Sequence, residues 1–158
     1  MLGRRILQPV LFICEDDSAI ESGYEEYKKN DLKIYDMDRL KIKDGEQPTC
    51  FKIKMLNDRQ KEFILSERDS KKRVDLAVRF SLIGVENFLI YGEDGSSREV
   101  KPIKISEDPV YGKLVDSDWY YSELGLSFSH AAQIYTAIET ISEATIPLSM
   151  QSEVPVGV

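Results

Sequence analysis

From Val74 onward the apolar residues return at helical intervals: Val74, Ala77, Val78, Leu82 and Val85 make one stripe, and Leu76, Phe80 and Ile83 widen it around the cylinder. A helix that is apolar over most of its circumference is stable only when other elements cover it, so the remaining chain has to supply a surrounding shell. Asp75 and Arg79 stand four apart on the one polar side left. Gly84 is placed to end this helix, with Val85, Glu86, Asn87 and Phe88 leading away from it.

The shell is legible on both sides. Val10 to Cys14 is an unbroken apolar run that meets Glu15, Asp16 and Asp17, the pattern of a buried strand leaving the core through a polar turn. From Ser18 to Asn30 only Ile20, Tyr24 and Tyr27 keep helical spacing, and Gly23 weakens a helix, so a short helix and an ordered loop both fit. Leu40 to Lys43 and Thr49 to Met55 alternate around Asp44-Gly45 and Pro48, which predicts a hairpin-like pair. In its second strand Phe51, Ile53 and Met55 face the core, while Lys52 and Lys54 face water or a partner. Asn57 and Gln60 have capping-box spacing and open a helix over 58–67, anchored by Phe63 and Ile64. A second hairpin is expected from Phe88 to Tyr91 and from Val100 to Ile105, with Pro102 marking an edge strand.

Asp116-Ser117-Asp118 caps a short helix carrying Trp119, Tyr120 and Leu124, with Gly125 after its end. Ser127 or Ser129 caps a longer one whose stripe is Phe128, Ala131, Ile134, Tyr135, Ile138 and Ile141. The fold class that follows is α+β, a small antiparallel sheet or hairpins packed against a bundle of three to four helices. Residues 1–146 form a single domain. The stretch from 147 to 158 shows no periodicity and is expected to be a tail docked on a neighbouring subunit.

A chain of 158 residues with 42% hydrophobic content can build such a core without disulfide or metal. Its two cysteines, Cys14 and Cys50, are too few for a disulfide framework or a four-ligand zinc site and read as small core residues. No stretch has the length of a membrane span, and the first 14 residues lack a cleavage pattern, so a soluble intracellular protein is expected. Acids outnumber bases 28 to 21, a net charge of −7 that disfavours non-specific binding to nucleic acid or anionic lipid. Proteins are therefore the expected partners. The middle of the chain, from Lys52 to Arg79, is basic and the part beyond Phe80 acidic, a layout compatible with head-to-tail association or with a plain solvated face.

Catalytic chemistry finds little purchase. His130 is the sole histidine, no nucleophile elbow accompanies it, and near a helix start it reads as a neutral polar or capping residue. The acids at 15–17, at Asp36 and Asp38, and at Asp116 and Asp118 read as turns and caps, since none lies in a calcium loop. Glycine-rich phosphate loops are missing from the sequence. Glu26-x-Lys28 and Asp31-x-Lys33 could in principle serve a magnesium nuclease, which makes a metal-dependent nucleic-acid enzyme the main alternative. A regulatory adaptor of a host cell is a third. No catalytic residue, cofactor or metal ligand is expected; the residues expected at interfaces are Lys52, Lys54, Tyr91, Trp119, Tyr120, Leu148, Met150, Val154 and Val156.

Three stretches carry a resemblance: Thr49 to Gln60, Ala77 to Phe88 with its Gly84-Val85-Glu86-Asn87 turn, and the helix from Leu124 to Ala144. Their order resembles small proteins of tailed bacteriophages, especially tail-assembly chaperones and minor particle proteins, over roughly Thr49 to Thr145. The resemblance implies a non-enzymatic part in building or forming a phage particle. It would place the chain in a virion, or in the host cytoplasm during assembly, as an oligomer or part of a larger assembly with other structural subunits.

Overall fold

The computed structural model describes residues 8–29 and 35–143. Its centre is a three-stranded antiparallel sheet in the order β1-β4-β5, formed by β1 (Val10–Phe12), β4 (Cys50–Ile53) and β5 (Leu82–Glu86). Between β4 and β5 the chain makes α2 (Asp58–Ser66) and α3 (Ser70–Ser81), and it ends in α4 (Phe128–Glu143), which packs on α3. Smaller pieces complete it: β2 (Ile20–Ser22), one helical turn α1 (Tyr24–Tyr27), β3 (Lys41–Ile42), and the hairpins β6 (Leu89–Tyr91) with β7 (Ser97–Glu99) and β8 (Ile105–Asp108) with β9 (Gly112–Val115). Helices and antiparallel strands are mixed as an α+β protein requires.

The unbroken apolar run of β1 has a direct cause, because both faces of this strand are covered. Val10, Phe12 and Cys14 join the main core with Phe51, Ile53, Val78, Phe80, Ile134 and Ile138. Leu11 and Ile13 point the other way, into a second cluster with Tyr27 and Cys50. The period of two along the strand thus sends alternate residues to two different cores. The Tyr27 and Tyr24 hydroxyls donate to the Leu11 and Ile13 carbonyls, at 2.7 and 2.9 Å, and so occupy backbone acceptors of an edge strand.

Local signals hold. The Asn57 side chain accepts from the Gln60 amide at 2.8 Å and the Gln60 side chain accepts from the Asn57 amide, a complete capping box. Gln60 then reaches on to the Tyr111 carbonyl, and Phe63 stacks on the Tyr111 ring at 4.2 Å, which ties α2 to the β8–β9 hairpin. That hairpin has no counterpart in the sequence reading. Its turn signal was Asp108-Pro109 followed by Gly112: the Asp108 carboxylate accepts from the Val110 and Tyr111 amides, and Gly112 has a φ of 91°.

Other expectations are corrected. The apolar stripe through Val85 is helical only to Ser81, because Leu82 to Glu86 are taken into the sheet as β5, with Val85 opposite Phe51 and Gly84 opposite Lys52. Strand pairing overrides a helical period that would otherwise continue. The stretches at 40–43 and 49–55 do not pair with each other; β3 pairs with β2, and β4 with β1 and β5. The second hairpin exists, but its return strand is Ser97–Glu99, and Pro102 lies in the connection to β8 instead of on an edge strand. Asp75, expected on a solvated side, is buried and accepts hydrogen bonds from the Tyr120 and Tyr121 hydroxyls, each at 3.0 Å.

Candidate functional site

A cleft of about 410 Å³ opens at the end of the sheet. One wall is the turn leaving β1, a second the Glu46 to Thr49 loop before β4, a third the Asn87 turn with β6, and His130 in the first turn of α4 closes the fourth side. Asp17 fixes the first two walls together, one carboxylate oxygen accepting from the Ala19 amide and the other from the Thr49 amide, both at 2.9 Å. Asn87 fixes the third. It adopts a left-handed φ of 59°, which asparagine tolerates, and its side chain donates to the Pro48 carbonyl while its own carbonyl accepts from the Thr49 hydroxyl.

Inside this frame two stretches far apart in sequence converge, Glu15 and Asp16 after β1 and His130 and Gln133 on α4. His130 Nε2 lies 2.9 Å from Asp16 Oδ2, the other Asp16 oxygen accepts from Gln133 Nε2 at 3.2 Å, and Gln133 Oε1 accepts from the Glu15 amide at 3.0 Å. Beneath them is buried Cys14, whose sulfur, with a carboxylate oxygen of Asp16 and a ring nitrogen of His130, forms a set lying within 4.8 Å of one another. Ser127 caps α4 by accepting from the His130 amide, which holds the start of the helix against the cleft.

The electrostatics are one-sided. Asp16, Asp17 and Glu46 line the cleft and no Lys or Arg does so among the described residues. The His130 hydrogen bond, with help from Gln133, pulls the Asp16 carboxyl below its ordinary value. Burial, reinforced by the charges of Asp16, Asp17 and Glu15, pushes the Cys14 thiol up to about 12. At neutral pH it is a thiol and not a thiolate, so the trio lacks the activated sulfur that nucleophilic catalysis uses.

The residues expected at interfaces divide. Tyr91 stands on the rim of the cleft with 72% of its surface exposed, beside Leu89, which is also exposed. Lys52 is exposed and Lys54 half-buried on β4 and its exit. Trp119 and Tyr120 require correction, since both belong to the core: the Trp119 indole donates to the Lys101 carbonyl and the Tyr120 hydroxyl to Asp75, so neither ring offers an open anchor. Leu148, Met150, Val154 and Val156, with the expected tail, lie outside the described residues, as does Asp31. Glu26 is exposed on α1 and belongs to no cluster of three His, Cys, Asp or Glu ligand atoms among the described residues.

Sequence reading missed Cys14, Asp16, His130 and Gln133 as a group. The available signals were an acidic run directly after a buried strand and a lone histidine three residues from a cap, but 114 residues separate Asp16 from His130. No helix among the described residues is long and apolar enough to cross a membrane. No protein-family model, curated protein or solved structure matches the chain.

Proposed function

We propose that the chain is a non-enzymatic structural or assembly protein of a tailed phage particle, acting through protein–protein contacts made at the β6–β7 hairpin. The observation that carries the docking part is the placement of Leu89 and Tyr91. Two large side chains, Leu89 and Tyr91, stand exposed on a two-stranded ribbon whose strands pair only with each other, so that each strand is an edge. An extended segment of a partner can add to such an edge, with its side chains meeting Leu89 and Tyr91. The phage assignment rests on the sequence resemblance over Thr49 to Thr145.

The hairpin is a firm platform. Arg98 on β7 makes two hydrogen bonds to Glu123, at 2.6 and 2.9 Å, and Glu123 also accepts from the Lys101 amide. Bidentate pairing of this kind fixes orientation, so the ribbon is held against the core before any partner arrives.

Replacing Tyr91 by a photo-crosslinking amino acid in cells assembling particles should give a covalent adduct with a particle subunit or a second copy of the chain. Leu89→Asp should abolish that adduct while circular dichroism stays unchanged. Crosslinking that is absent, or indifferent to Leu89→Asp, would count against the docking assignment. Magnesium-dependent cleavage of DNA or RNA by the purified chain would replace it with the enzyme.

A further inference from the structure

We infer that Cys14, Asp16 and His130 form a binding site for a divalent transition-metal ion of the zinc class, with its remaining coordination position open to the cleft. The inference is independent of how the hairpin docks. Three different donors, a sulfur and a carboxylate oxygen from the turn after β1 and an imidazole nitrogen from α4, are already within 4.8 Å of one another. In a tetrahedral zinc site with metal–ligand distances of about 2.0–2.3 Å, donors stand ~3.5 Å apart, so side-chain rotations of about 1 Å complete the cage.

The surroundings are those of a cation site. Asp17 and Glu46 add negative charge to the same cleft and no lysine or arginine opposes it among the described lining residues. Gln133 holds the outer Asp16 oxygen and is itself held by the Glu15 amide, the kind of second layer that orients a ligating carboxylate. Sulfur and imidazole together select zinc, cobalt or a similar ion over magnesium and calcium, which prefer oxygen alone. Such an ion would join the end of β1 to the start of α4, and its fourth position would accept water or a carboxylate entering the cleft.

The full chain, stripped with a chelator and titrated with Zn²⁺ by calorimetry and with Co²⁺ by absorption, tests this. One equivalent should bind, with the near-ultraviolet thiolate-to-cobalt charge-transfer band. His130→Ala and Asp16→Asn, both at accessible positions, should each weaken Zn²⁺ by at least about 100-fold, and Gln133→Ala by about 10-fold, the scale of an outer-layer ligand partner. Cys14→Ser should remove the charge-transfer band, whereas Cys50→Ser should leave it. No binding, a cobalt spectrum without that band, or an affinity indifferent to His130→Ala would overturn the site, and these last readouts stand even if Cys14→Ser fails to fold.

Discussion

Asp75 and Asp16 each hold two side-chain partners, yet one is sealed inside the protein and the other stands at the mouth of a cleft. Asp75, only 8% exposed, receives the Tyr120 and Tyr121 hydroxyls, and this clamps the helical turn at Trp119–Leu124 onto α3. Both phenols are raised, chiefly by burial and then by the Asp75 charge and hydrogen bond, so they stay protonated and keep donating. Asp16 instead faces His130, Gln133 and a buried thiol, with open volume beside it. A sealed carboxylate whose partners are complete contributes to stability. An open one with a histidine and a sulfur in reach retains capacity for something that arrives from outside.

The contrast can be broken first at Asp75. Asp75→Ala leaves two phenols without their acceptor, one of them fully in the core, and should lower unfolding free energy by about 3 kcal/mol in urea denaturation at neutral pH. Dividing the network should then rank its members: Tyr120→Phe removes a buried bond and should cost about 1 kcal/mol, and Tyr121→Phe less, because half of its ring meets water that can replace the lost partner. At the open carboxylate, Asp16→Ala in the metal-free chain should shift stability by less than about 1 kcal/mol, since both it and His130 are substantially solvated. An Asp16 loss equal to that of Asp75 would erase the distinction.

The smallest expected effect concerns pH. The Arg98 hydrogen bonds, followed by that of the Lys101 amide, bring Glu123 from 4.5 down to about 2. A depressed carboxyl contributes fully above its unfolded value, so this clamp should be intact above pH 4.5 and fade as the pH falls towards 2. The sole tryptophan reports on it, because the Trp119 indole donates to the carbonyl of Lys101, whose amide Glu123 holds. Its fluorescence should change across that window in the native chain, and Arg98→Ala should move the change towards higher pH.

What could be read from sequence was what neighbouring residues decide among themselves. The Asn57–Gln60 capping box, the burial of β1 and the stripe of α4 from Ala131 to Ile141 were all visible, because each depends on spacing within a few residues, whereas Phe128, expected on the same stripe, is half exposed. The end of α3 was not, since Leu82 and Val85 satisfy a helical period and a strand equally well and only β4 breaks the tie. Gly84 illustrates this: a Cβ there would meet Lys52 at an ordinary 3.6 Å, so the position asks for no glycine backbone at all. Pairing choices and the convergence of Cys14, Asp16 and His130 are decided by the whole chain at once. Trp119 and Tyr120 misled for a related reason, as aromatic rings with polar tips suit a core with a waiting carbonyl or carboxylate as well as they suit a surface.

The two tyrosines that bond to the Leu11 and Ile13 carbonyls set a polarity for any growth of this protein into an array. With these two carbonyls already occupied from within, a further copy finds fewer acceptors along that margin, which works against lengthening the sheet there.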